Sequence, residues 1–111
     1  MCTAQEIVIR TDIGITDIPG AGTRVQLSSD AGLNATDRVL WAQFKGVPGN
    51  SGIAYVGISD VSATQGWPLE NDDTVGLALD FRAYGGSVAA GDIYFDVATN
   101  GDDVAWALIL E

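Results

Sequence analysis

The chain reads as an all-β protein, an antiparallel β-sandwich or small jelly-roll-like barrel of about eight strands with an extended N-terminal arm. Three observations predict this. Residues 75–82 and 92–98 alternate apolar and polar side chains with a period of two, the mark of a strand with one buried face. Gly, Pro, Asn and Asp punctuate the apolar runs, each supplying turn geometry for its own stereochemical reason. Fourteen glycines and one methionine among 111 residues suit a turn-rich sheet protein better than a helical one. At this length the chain is one domain, with residues 1–22 forming a strand and arm and residues 23–111 a single β unit.

In chain order, residues 5–10 alternate Ile7 and Ile9 with Glu6, Val8 and Arg10, which predicts a strand. Residues 11–22 set Ile13, Ile15 and Ile18 among Gly, Asp and Pro, which predicts an extended arm or irregular loop. Isoleucines in that setting are pinned either against the domain's own core or along a neighbouring subunit. Residues 23–27 form a short strand with Val25 and Leu27 facing in, and 28–37 a loop by composition. The Asn34-Ala35-Thr36 sequon is taken as chance, because no secretory segment accompanies it.

Residues 38–44 are apolar on both faces, with Val39 and Trp41 set against Leu40, Ala42 and Phe44, as expected of a central strand. The Gly-Val-Pro-Gly-Asn turn that follows leads into residues 52–58, another strand apolar on both faces. Only residues 60–65 carry weak helical potential, about one turn. Next, Trp67 and Pro68 sit in a turn-rich loop beside the acidic turn Glu70-Asn71-Asp72-Asp73. In residues 75–82, Val75, Leu77, Leu79 and Phe81 share a face. Residues 92–98 point Ile93, Phe95 and Val97 inward and Asp92, Tyr94 and Asp96 outward. Asn100-Gly101 is the strongest two-residue hairpin signal, leading into Val104, Trp106, Leu108 and Leu110 on one face of residues 103–110.

Fifteen acidic residues face five basic ones, a net charge of −10. Nucleic-acid binding needs clustered Lys and Arg to displace counterions, whereas Arg10, Arg24, Arg38, Lys45 and Arg82 are scattered. DNA, RNA and anionic membrane surfaces are therefore not expected partners. The acidic surface keeps the protein dissolved, or complements a basic partner. Cys2 stands alone, so neither an intrachain disulfide nor a cysteine metal site is expected. The hydrophobic run that lipid attachment at Cys2 would call for is missing upstream, and no apolar run is long enough to cross a bilayer.

Chemistry is hard to build from these residues. Without histidine, the usual general base and the Ser-His-Asp arrangement are out of reach. Lys45 reads as a solvated turn lysine. Glu6, Glu70 and Glu111 are poorly placed for the paired carboxylates of glycoside hydrolysis. The acidic loops at 71–73 and 100–103 offer hard oxygen ligands for Ca²⁺, but Asn and Asp clusters are ordinary turn formers, and no EF-hand pattern is present. Trp67, with Tyr55 and Tyr84, offers a sugar-stacking platform or, more plainly, an anchor for a subunit contact. Neither an enzyme nor a cofactor is expected.

The progression from Ile53-Ala54-Tyr55-Val56-Gly57 through Gly66-Trp67-Pro68-Leu69 to the Val-x-Leu-x-Leu strand at 75–79 resembles small β-rich virion proteins of tailed bacteriophages. It looks most like their head decoration, or cement, proteins. The likeness loosely covers the last two-thirds of the chain and rests on turn and core positions. It implies a virion structural protein on the capsid exterior, made in the bacterial host cytoplasm, with the major capsid protein and itself as partners. A homotrimer is implied. Ile13, Ile15, Ile18, Trp67 and Pro68 are then the expected capsid or subunit contacts. The alternatives are a carbohydrate- or receptor-binding module of a head or tail fibre, and a tail-tube or adaptor subunit.

Overall fold

The computed structural model describes residues 10–69 and 76–111, the side chain of Tyr84 excepted. Residues 5–9 of the strand expected at 5–10, Cys2, the acidic turn at 70–73 and Val75 lie outside the described residues. Nine strands are described: β1 (Arg10–Asp17), β2 (Val25–Gln26), β3 (Arg38–Gly46), β4 (Ala54–Gly57), β5 (Trp67–Leu69), β6 (Leu77–Asp80), β7 (Val88–Ala89), β8 (Tyr94–Val97) and β9 (Asp103–Leu110). They form two antiparallel sheets packed face to face, as the all-β sandwich reading requires. One sheet runs β1-β9-β3-β6, with β7 also paired to β3; the other runs β2-β8-β4-β5.

The core lies between the sheets and follows the alternation of each strand. Val104, Trp106, Leu108 and Leu110 of β9 face Phe95 and Val97 of β8, all of them buried. Phe44 and Phe95 meet edge to face across the layers, with centroids 5.5 Å apart. Such a pair adds about 0.5–1.5 kcal/mol beyond the area it buries.

Residues 11–17, expected as part of an extended arm or irregular loop, form a regular strand. Each residue from Arg10 to Asp17 has a partner in β9, from Leu110 to Asp103. Backbone pairing along all eight positions outweighs the weak strand preference of Gly and Asp there. The chain then turns through Ile18, which is wholly buried.

Three further expectations are corrected. A five-residue helix, α1 (Leu27–Ala31), takes the end of the strand expected at 23–27 and the start of the loop expected at 28–37, closed by Gly32 in the left-handed region and anchored by buried Leu27. The helical turn expected at 60–65 is instead a tight turn closed by a Ser62–Gln65 bridge. Trp67 and Pro68 lie in strand β5, not in a loop. Proline is tolerated there because β5 is the sheet's edge.

Asn100-Gly101 does turn the chain, with Gly101 at φ 84°, but makes no hairpin. Strands β8 and β9 belong to opposite sheets, so the turn carries the chain across the sandwich. Central strand β3 contains a bulge: Val39 opposes Leu110 and Trp41 opposes Ile109, leaving Leu40 as the extra residue. The bulge resets the phase, so Val39, Ala42 and Phe44 all face the core and Trp41 faces out.

Candidate functional site

The five expected contact residues separate into three places. Ile18 is in the core and offers nothing to a partner. Its burial is what the chain-internal reading of the isoleucines expected. Ile13 and Ile15 point away from the core on edge strand β1, 80% and 62% exposed. Trp67 is 61% exposed on edge strand β5, with exposed Pro68 beside it.

Trp67 opposes Val56, whose side chain is buried, so the indole has the inward phase of its strand. Being at the edge, it cannot reach the core. It stands at the mouth of a 330 Å³ crevice where β5 of one sheet faces β6 of the other. Leu77, Leu79 and Phe81 line the opposite wall, and Phe44 and Ile93 lie deepest. Among the described residues of the lining, Asp92 is the one that carries a charge. Among the described residues no strand closes the sandwich between β5 and β6, which leaves this gap. Tyr55, grouped with Trp67 at sequence level, opposes Pro68 and takes the outward phase. No aromatic platform therefore joins Tyr55 to Trp67.

A second concavity of 540 Å³ lies on the outer face of the β1-β9-β3 sheet. Ala105 and Ala107 form its floor, Ile13 and Ile15 one wall, Gln43 and Lys45 the other. The expected face of residues 103–110 is only the inward half of β9. The outward half, Ala105, Ala107 and Ile109, makes β9 apolar on both faces, the pattern of a strand covered on both sides and the sequence signal for this concavity.

The acidic residues chiefly hold turns. Both Asp102 carboxylate oxygens accept backbone amides, from Ser51 at 2.9 Å and Gly52 at 2.8 Å. Asn100 Oδ1 accepts from the Ala21 amide at 2.7 Å. Asp80 caps the 3-10 turn Phe81–Tyr84 and pairs with Arg82 at 2.9 Å, which holds its carboxyl below the ordinary range. Among the described residues, no group of three or more His, Cys, Asp or Glu is arranged to hold a metal ion.

Asp96, expected to face solvent, is fully buried. It does take the outward phase of β8, but the loop after β1 covers it: the Gly22 amide donates to its Oδ1 at 2.9 Å, alongside the Val97 amide at 2.8 Å. The same loop places the Arg24 guanidinium over the Tyr94 ring, 5.5 Å from its centroid.

Comparison with protein-family models, with characterised proteins and with solved structures gave no significant match. No described helix is long and apolar enough to cross a membrane.

Proposed function

We propose that the chain is a virion structural protein that binds the outer surface of a tailed-phage capsid and braces the shell. The observation that carries this reading is the exposed Trp67 at the mouth of an apolar crevice, on a module whose surface is otherwise strongly acidic. A large aromatic beside an apolar pocket is the usual anchor of a protein contact. The crevice walls offer a sugar few hydrogen-bond partners, so an apolar side chain of the major capsid protein suits them better than a glycan. The resemblance of residues 53–79 to decoration proteins supplies the capsid as the partner.

The mechanism is thermodynamic. A protein that binds only the assembled lattice stabilises it by the free energy of binding, and many copies per shell add their contributions. The acidic surface complements basic capsid patches or faces solvent. No bond is made or broken.

Mass spectrometry of purified heads from the encoding phage tests the proposal. The chain should be present in many copies per head. Heads stripped of it should take up added wild-type protein and fail to take up Trp67→Ala protein of unchanged circular dichroism. Absence of the chain from purified heads would overturn the proposal.

A further inference from the structure

The outer groove of the β1-β9-β3 sheet is separate from the crevice and calls for its own occupant. Strand β1 is a sheet edge, regular over eight residues, with neither proline nor lysine to discourage pairing. Its two outward isoleucines are exposed and no described segment covers them, while the neighbouring outward residues of β9 are alanines in register with them. Ile13 opposes Ala107 and Ile15 opposes Ala105. A ridge of two large side chains therefore runs beside a furrow of two small ones, one strand spacing away.

We propose that this face is an interface between two copies of the chain, related by a two-fold axis that runs along the strands between β1 and β9. That operation exchanges the positions of the two strands. It lays the Ile13–Ile15 ridge of each copy into the Ala105–Ala107 furrow of the other, a self-complementary contact of the kind a two-fold requires. Aligned sheets pack about 10 Å apart with interleaved side chains, which isoleucine over alanine permits.

The charges at the centre of the face fit the same arrangement, whereas at one end the two-fold also lays Asp17 of each copy over Asp103 of the other, a like-charge contact that keeps the association weak. The described residues of the walls and floor include no carboxylate, so among them nothing negative opposes contact at the centre of the groove. The one charge there is Lys45, which makes no ion pair among the described residues. Asp17 and Asp103, opposed across β1 and β9, close one end of the face. With strands about 4.8 Å apart and residues about 3.3 Å apart, the two-fold brings Lys45 of each copy within a side chain's reach of Asp17 on the other. A basic residue of one copy thus meets the acidic end of the next.

The face is small. Three strands of eight residues span on the order of 400 Å² in flat projection, below the roughly 800 Å² per partner of a standard interface. The association is accordingly weak and concentration-dependent, and its two-fold symmetry differs from the trimer that the sequence resemblance implies.

Sedimentation equilibrium on the full chain, from micromolar to millimolar concentration, tests the proposal. The wild type should fit a monomer–dimer equilibrium. Ile15→Asp and Ala107→Arg, each on an exposed face and each checked for unchanged thermal unfolding, should weaken dimerisation at least about tenfold. Lys45→Glu should weaken it, and adding Asp17→Lys should restore it. Trp67→Ala should leave it unchanged, which separates this interface from the capsid-binding reading. A wild type that stays monomeric at millimolar concentration would overturn the proposal, as would a trimer. A dimer indifferent to both groove substitutions would overturn it too. So would a monomer whose groove variants lose attachment to heads, since the occupant would then be another protein.

Discussion

The indole N–H of Trp106 donates to the Thr16 hydroxyl at 2.9 Å, and that hydroxyl donates in turn to Asp30 Oδ2 at 2.6 Å. Three residues far apart in sequence thus join β9, β1 and α1 through one buried hydroxyl. Thr16 is completely buried, so the indole has no solvent to turn to if the hydroxyl is removed. Replacing Thr16 with valine keeps the shape and strands the Trp106 donor. The expected loss is about 1–3 kcal/mol, the cost of an unsatisfied buried polar group. Urea unfolding measures it. A loss no larger than that of a surface substitution would show that the bond contributes nothing.

Gly14 lies directly against the Trp106 ring, where a β-carbon would overlap the six-membered ring. The ring cannot swing aside without breaking its bond to Thr16. Gly14→Ala should therefore cost about 1–3 kcal/mol through overpacking, although alanine is a better strand residue than glycine. The double variant Gly14→Ala with Trp106→Phe removes part of the overlap. It should lose less than the sum of the single changes, a coupling that a double-mutant cycle reads directly. Strict additivity would refute the contact.

Burial, then a hydrogen bond to Asp17 and the charges of Asp17 and Asp102, push the Asp103 carboxyl above the ordinary carboxylate range. A folded-state pKa above the unfolded value means that the native chain holds this proton more tightly. The resulting stabilisation is complete below the unfolded value of about 4 and is lost as pH rises through the folded one. Asp103→Asn should thus be more stable than wild type at pH 7, with the gap closing towards pH 4. Denaturant melts at several pH values, at a fixed low protein concentration, decide the matter. A gap independent of pH would remove Asp103 from the explanation.

Asp96 holds the loop after β1 to the outer side of β8 through its Oδ1, which accepts the Gly22 and Val97 amides, while its Oδ2 has no partner among the described residues. The acceptor, not the charge, is what that loop uses. Asp96→Asn, which keeps one carbonyl oxygen, should change stability by less than about 1 kcal/mol. Asp96→Ala should cost about 1–3 kcal/mol, because two amides lose their acceptor. Equal effects of the two substitutions would contradict this division.

Much of the fold is readable from local pattern. The strands at 38–46, 77–80, 94–97 and 103–110 all lie where period-two or doubly apolar runs predict them. Alternation works here because each strand buries one face against the opposite sheet. What local pattern misreads is the level above. Leu40 is bulged, and no residue near it marks the spot, so strict alternation groups Val39 with Trp41 although it shares the core face with Ala42 and Phe44. The Asn100-Gly101 turn has hairpin chemistry, yet its flanking strands enter different sheets. A turn reports that the chain reverses, not which strand it will pair with.

The candidate surfaces were only half readable. Trp67 and Pro68 stand out in any reading, but the crevice below Trp67 needs β6 and β5 to face each other from different sheets. Ile13, Ile15 and Ile18 look equivalent in sequence, yet the first two are exposed and the third is buried.

The amino-acid order alone determined the β class, most of the strands and, where a strand alternates without a bulge, which residues share its faces, since those follow from side-chain spacing along one extended segment. Tertiary structure decided which apolar sides meet and which stay bare. Pairing β1 with β9 set two isoleucines beside two alanines, and folding a loop over β8 hid Asp96. Those outcomes depend on contacts between segments some 70 to 90 residues apart, as between Gly22 and Asp96 or Thr16 and Trp106, and spacing along one strand carries no information about them.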